Sequence, residues 1–150
     1  MLKNIFSGKG SKNNNTSENE LQQAAAVLML KVTSADGNIA QVELTHVVKL
    51  LQQEFGMDSS SLSETITSAS NKDILQSPVE DFTNTLCASY GKAKRIKLLE
   101  FLWILAYVDD KMDDRETQLL KRVSELLELT NLEVAQAQEN AESHLGLDLF

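Results

Sequence analysis

Residues 92–116 read KAKRIKLLEFLWILAYVDDKMDDRE. Between Leu98 and Val108 the one charged residue is Glu100. An apolar run with almost no polar face predicts a helix, about Lys92 to Asp109, that is buried on most sides. The basic cluster Lys92, Lys94, Arg95 and Lys97 precedes the run and reads as its solvated first turn. At Asp109 the pattern breaks. Asp113-Asp114-Arg115-Glu116 has the spacing of a capping box. It opens a new helix that carries Leu119, Leu120, Val123, Leu126 and Leu127 on one face. Buried helix, acidic bend and amphipathic helix together make a helical hairpin.

The same hairpin occurs once earlier. Asp36-Gly37-Asn38-Ile39-Ala40-Gln41-Val42-Glu43 aligns with Asp109-Asp110-Lys111-Met112-Asp113-Asp114-Arg115-Glu116. In each copy an apolar helix ends at an Asp, an apolar residue follows three positions later, and a Glu follows after seven. Flanking apolar positions also match, Val32 with Leu105 and Val47 with Leu120. The first helix of this earlier copy is predicted over about Ser17 to Ala35, through Leu21, Ala24, Ala25, Leu28, Val32 and Ala35. The second is predicted over about Ala40 to Phe55, through Leu44, Val47, Val48, Leu51 and Phe55. Gly37 admits a positive φ in the bend between them. Two hairpins of one design usually pack about a pseudo-two-fold axis, which brings their loops to one end of the domain.

The rest of the chain is helical in pattern too. A weaker helix is predicted over about Ser60 to Ser70, carried by Leu62, Ile66 and Ala69. Ser77-Pro78-Val79-Glu80 places Ser77 as N-cap, Pro78 at the first helical position and Glu80 at the third, for a helix ending near Tyr90. Thr130-Asn131-Leu132-Glu133 is a further capping box, for a helix running to about His144. The tail Leu145 to Phe150 is apolar enough to dock. One proline and six glycines in 150 residues are too few for an all-β fold. The prediction is an all-α, compact bundle of about seven helices with two pseudo-symmetric hairpins. Gly8 to Asn19 are polar and low in complexity, so residues 1–19 read as a disordered arm and 20–150 as a single domain.

The formal net charge is −8, and the first twenty residues contribute +1, leaving −9 on the remainder. Such a body repels phosphate backbones, which argues against nucleic acid as a partner and favours cations and basic surfaces. Cys87 is the only cysteine. It allows neither an internal disulfide nor a cysteine-based metal cluster, and it suits a reducing compartment. No apolar run of about 18 residues is present to span a membrane, and the N-terminus has no signal-peptide core. Cytoplasm is the expected location. The basic-apolar tip formed by Leu2, Lys3, Ile5, Phe6 and Lys9 allows peripheral contact with a membrane or partner.

The duplicated Asp-Gly-x-apolar-x-x-x-Glu pattern, with its second copy about seventy residues on, resembles the TerB-like tellurite-resistance family. The family also includes the N-terminal part of a membrane-anchored DnaJ-like co-chaperone. The resemblance covers roughly Leu21 to Ala141. It implies a bundle of about seven helices, no established catalytic activity, and an acidic site at the repeated loops that binds a divalent cation. Carried over by position, the site residues are Asp36, Glu43, Asp109 and Glu116. Two departures bear on that site. Ala40 stands where a capping Ser, Thr or Asp is usual, and Asp110 replaces the glycine of the second loop.

The chemistry of the residues is consistent with a hard cation. Asp36, Asn38, Glu43, Asp109, Asp113 and Glu116 offer only oxygen, which suits Ca²⁺ or Mg²⁺, with Mn²⁺ third. Carboxylates crowded together either keep protons or recruit a cation. A metal-free reading stands beside this one. Asp36 then stabilises a turn, Glu116 completes a capping box, and Glu43 is favoured simply by the helix N-terminus. An EF-hand is not supported: the twelfth loop positions are Val47 and Leu120, and the sixth are Gln41 and Asp114. A ferritin-like di-iron site fails as well. Glu43 and His46 form one Glu-x-x-His pair, but Leu119 stands at the matching position of the second copy. His46 reads as an ordinary helix residue, and His144 as a favourable group near a helix C-terminus.

Enzyme readings find little support. A Cys87–His dyad is conceivable, but Cys87 lies in a helical stretch and reads as a small buried thiol. There is no Gly-rich phosphate loop and no nucleophile elbow. Reduction of tellurite needs repeated thiol or cofactor chemistry, for which one cysteine is insufficient. The expected function is a non-catalytic, cation-binding protein-interaction module linked by resemblance to tellurite and chemical stress. The alternatives are a metal-free scaffold whose acidic face binds a basic or membrane-associated partner, and a metal-dependent hydrolase.

Overall fold

The computed structural model describes residues 18–34, 41–108 and 114–149, without the side chains of 41–43 and 145–149. Eight helices occur among the described residues: α1 (Glu18–Thr33), α2 (Gln41–Phe55), α3 (Ser59–Ala69), α4 (Lys72–Leu75), α5 (Val79–Ser89), α6 (Lys92–Val108), α7 (Asp114–Leu126) and α8 (Asn131–Leu149). The fold is all-α, as the sequence predicts.

The count exceeds seven because of α4. Four residues carry no readable periodicity, yet the signal is local. The Asn71 side chain accepts from the backbone N–H of Asp73 at 2.8 Å and so caps the turn. The presence of α4 also changes the role of Ser77. Its hydroxyl donates to the carbonyl of Asp73 at 2.9 Å, closing α4, and makes no cap for α5. The orphan carbonyls of a helix that has just ended lie nearer than the amides of the one about to start. Glu80, predicted as the reciprocal cap, pairs with Arg122 of α7 instead. The box at Thr130 does form: Thr130 Oγ1 accepts from Glu133 N at 3.2 Å, and Glu133 accepts from Thr130 N at 2.9 Å. The helix it opens passes His144 and continues through Gly146, a glycine cost of about 1 kcal/mol that helix interiors tolerate.

Two helices form the centre. In α6 every residue from Leu98 to Ala106 is buried, as the apolar run predicts. In α1 burial exceeds the predicted stripe, for Ala24 through Leu30 are buried without a break. Three consecutive alanines, Ala24, Ala25 and Ala26, present no long side chain and let neighbours approach from all sides. α1 meets α2, α3, α4, α5, α6 and α7, while α6 meets α1, α2, α7 and α8. The two hairpins α1–α2 and α6–α7 thus pack across one another, α1 on α6, α2 on α6 and α1 on α7. All four flanking positions matched by the repeat, Val32, Leu105, Val47 and Leu120, are fully buried.

Polar groups stitch the helix ends. The basic cluster at the start of α6 is not a bare solvated turn, because each member has a partner nearby. Arg95 donates to the carbonyls of Tyr90 at 3.1 Å and Leu127 at 2.7 Å, tying together the ends of α5 and α7. Lys92 pairs with Glu133 at 3.1 Å, Lys94 lies over the Tyr90 ring, and Lys97 pairs with Glu100. Between the end of α4 and the start of α5, Lys31 donates to the carbonyls of Leu75 and Ser77. Tyr90 is buried. That burial, followed by the nearby charge of Glu18, pushes its phenol far above its ordinary value. Glu18 opens α1, and Tyr90 caps the end of α5.

A core of this kind makes large-to-small changes expensive. Leu102→Ala, at a fully buried position of α6, is expected to lower unfolding free energy by about 2–5 kcal/mol. Denaturant titration followed by circular dichroism measures it, and a loss under about 1 kcal/mol contradicts this packing.

Candidate functional site

The repeat places its two glutamates equivalently. Glu43 is the third residue of α2 and Glu116 the third residue of α7. Each helix follows one of the two central helices, α2 after α1 and α7 after α6. Asp36, Asn38, Asp109 and Asp113 lie outside the described residues, as does the side chain of Glu43 and the bend glycine Gly37. Glu116 is described, and it is 3% exposed, whereas its neighbours Asp114, Arg115 and Thr117 are exposed.

A carboxylate in the first turn of a helix is favoured by the free N–H groups and the positive end of the dipole. Burying it is costly unless its oxygens are matched by donors or a cation. The candidate residues of the repeat all offer oxygen, the donor type a hard divalent cation takes, and Glu116 is the one among them whose side chain is described. The same position fits the reciprocal member of a capping box. Among the described residues, no group of three or more His, Cys, Asp or Glu side chains converges to hold a metal.

One constellation has no sequence signal. His46 of α2 and His144 of α8, 98 positions apart, line the same cleft as Lys97 and Glu100 of α6. Read singly, they are an ordinary helix residue and a helix-terminal one. Only the packing of α2 and α8 against α6 brings them together.

Cys87 is half-buried, with its Sγ 3.4 Å from the carbonyl of Leu126. Burial pushes the thiol up, and the nearby Arg95 opposes that effect without overturning it. A nucleophilic role needs thiolate, so this environment works against one. The folded chain is expected to react with iodoacetamide at neutral pH at least about tenfold more slowly than the chain unfolded in urea. Mass spectrometry of the alkylated protein reads the rate, and equal rates contradict the assignment.

The comparisons with known proteins agree with the fold. The family model described as tellurite resistance protein TerB matches residues 22–139. A search of curated proteins gave no match. Among solved structures, the chain is similar to a protein of unknown function from Porphyromonas gingivalis W83. The TM-score is 0.62 at 18% identity, covering 90% of this chain and 97% of that one. At that identity the likeness shows the fold alone. The family match spans both hairpins, from the start of α1 into α8, and the chain belongs to the family of the tellurite resistance protein TerB.

Proposed function

We propose that this chain is a non-catalytic TerB domain whose repeated loops hold one divalent cation, and that the cation sets the surface read by a protein partner. Asp36, Glu43, Asp109 and Glu116 would hold it, with Asn38 and Asp113 as further oxygens. Ca²⁺ or Mg²⁺ is the favoured ion and Mn²⁺ the third choice. The observation that supports this reading best is the burial of Glu116 at the start of α7, among exposed neighbours. When bound, the ion supplies charge neutralisation and a fixed angle between the two hairpins. The chain's own part is to present carboxylates from the first turns of two helices, where backbone N–H groups already favour negative charge.

Membership of the family, the acidic balance of −8 and the single cysteine are all in keeping with a binding role under chemical stress. No helix among the described residues is long and apolar enough to cross a membrane. A cytoplasmic location belongs to the same proposal, with peripheral membrane contact through the basic-apolar N-terminal tip. A metal-free scaffold is the second reading, favoured by the fit of Glu116 to a capping box. In it, the acidic face alone attracts a basic partner.

Calorimetry and thermal unfolding with Ca²⁺ and Mg²⁺ separate these readings. At about one hundred times the dissociation constant, a bound ion adds about 2.7 kcal/mol of stability. That corresponds to a melting-temperature rise of about 5–10 °C for a domain of this size. The Asp36→Asn, Asp109→Asn double variant is expected to lose the rise. No heat and no shift with either ion at millimolar concentration overturns the cation site and leaves the scaffold.

A further inference from the structure

We propose that the cleft between α2 and α6 is a binding site for a small zwitterion of the α-amino-acid class bearing an apolar side chain. The cavity measures about 330 Å³. That is the lower edge of the range for small-molecule sites and far more than a bare ion fills. Among the described residues Glu116 does not line it.

Charge parity identifies the ligand class. Two lysines and two glutamates line the cleft, Lys49 and Glu54 from α2 and Lys97 and Glu100 from α6, so the four formal charges cancel. A simple anion or cation is attracted by one pair and repelled by the other. A molecule carrying both signs a few ångströms apart satisfies both pairs. Leu50, Phe101 and Ile104 line the cleft too, an apolar wall for an aliphatic side chain.

Glu100 is the anchor. Its side chain is 9% exposed, and the ion pair it makes with Lys97 measures 3.4 Å. A charge-assisted N–H···O bond is normally about 2.7–2.9 Å, so the Lys97 contact is a long one with which a ligand ammonium would compete. A ligand ammonium supplies three donors. Its carboxylate then lies toward exposed Lys49, with the imidazoles of His46 and His144 as further hydrogen-bonding groups in the same cleft. A transition-metal site built from these histidines is disfavoured, since no three His, Asp or Glu side chains converge there.

Calorimetry on the full chain with L-leucine tests the proposal, with N-acetyl-L-leucine and L-leucinamide removing one charge each. L-leucine is expected to bind saturably with a dissociation constant of about 1 mM or tighter. Each analogue should bind at least about tenfold more weakly. Lys49→Met should weaken L-leucine about tenfold while leaving L-leucinamide unchanged. Glu100→Gln should weaken L-leucine while leaving N-acetyl-L-leucine unchanged, the signature of a direct pairing. Should Glu100→Gln fail to fold, the exposed Lys49→Met variant and the analogues decide the matter alone. Absence of saturable L-leucine binding, analogues that bind as well as L-leucine, or stoichiometric Zn²⁺ binding in its place overturns it.

Discussion

The structure depends on burying two helices almost completely. α1 and α6 are covered on nearly every side, and each must be surrounded by partners that leave no apolar surface in water. A short chain achieves this by using the same device twice. Each central helix turns back into an amphipathic one, α2 or α7, and each hairpin lends its second helix to cover the other's first. The remaining helices close the gaps, α3, α4 and α5 over α1 and α8 along α6. Small residues in α1 make the arrangement possible, since Ala24, Ala25 and Ala26 allow close approach on opposite faces at once. Apolar packing has no direction of its own. The angles between elements are therefore fixed at the helix ends, where Arg95 and Lys31 collect the orphan carbonyls of neighbouring helices.

Much of this arrangement was legible in the chain because periodicity and duplication are long-range signals. The continuous apolar run of α6 predicted a helix buried on most sides, and the matched pairs Val32 with Leu105 and Val47 with Leu120 are all in the core. Short or non-local features were not legible. α4 is too brief for a period, and it captured Ser77, whose sequence context resembles a cap for the next helix. The basic residues at the start of α6 looked like solvated charge. Arg95 instead donates to carbonyls at the ends of α5 and α7, and Lys92 pairs with Glu133 of α8, partners that no local pattern reveals. The grouping of His46 with His144 depends wholly on how α2 and α8 pack on α6. For the repeated acidic loops, sequence gave the residues and the equivalent helix positions of Glu43 and Glu116. It gave no indication that Glu116 would be buried while its neighbours remain exposed.

The proposed functions fall on two kinds of polar surface carried by one apolar frame. The first turns of α2 and α7 present carboxylates where helix dipoles favour negative charge, a setting for neutralisation by a cation. The α2–α6 cleft balances two lysines against two glutamates and suits a ligand of no net charge. Redox chemistry has little purchase in either place. The one thiol, Cys87, is half-buried with a raised pKa, and burial rather than reactivity explains its surroundings. On the proposed reading the chain contributes binding, and not electron transfer, to the family's link with tellurite.

The central claim is that one duplicated bend makes one shared site. Paramagnetic broadening by substoichiometric Mn²⁺, read amide by amide in a ¹⁵N-correlation spectrum, tests it directly. The account predicts that the first-turn amides of α2 and α7 broaden together, in equal proportion, and recover together when Mg²⁺ is added in excess. Broadening confined to one of the two turns, or spread over the acidic surface without preference, contradicts it.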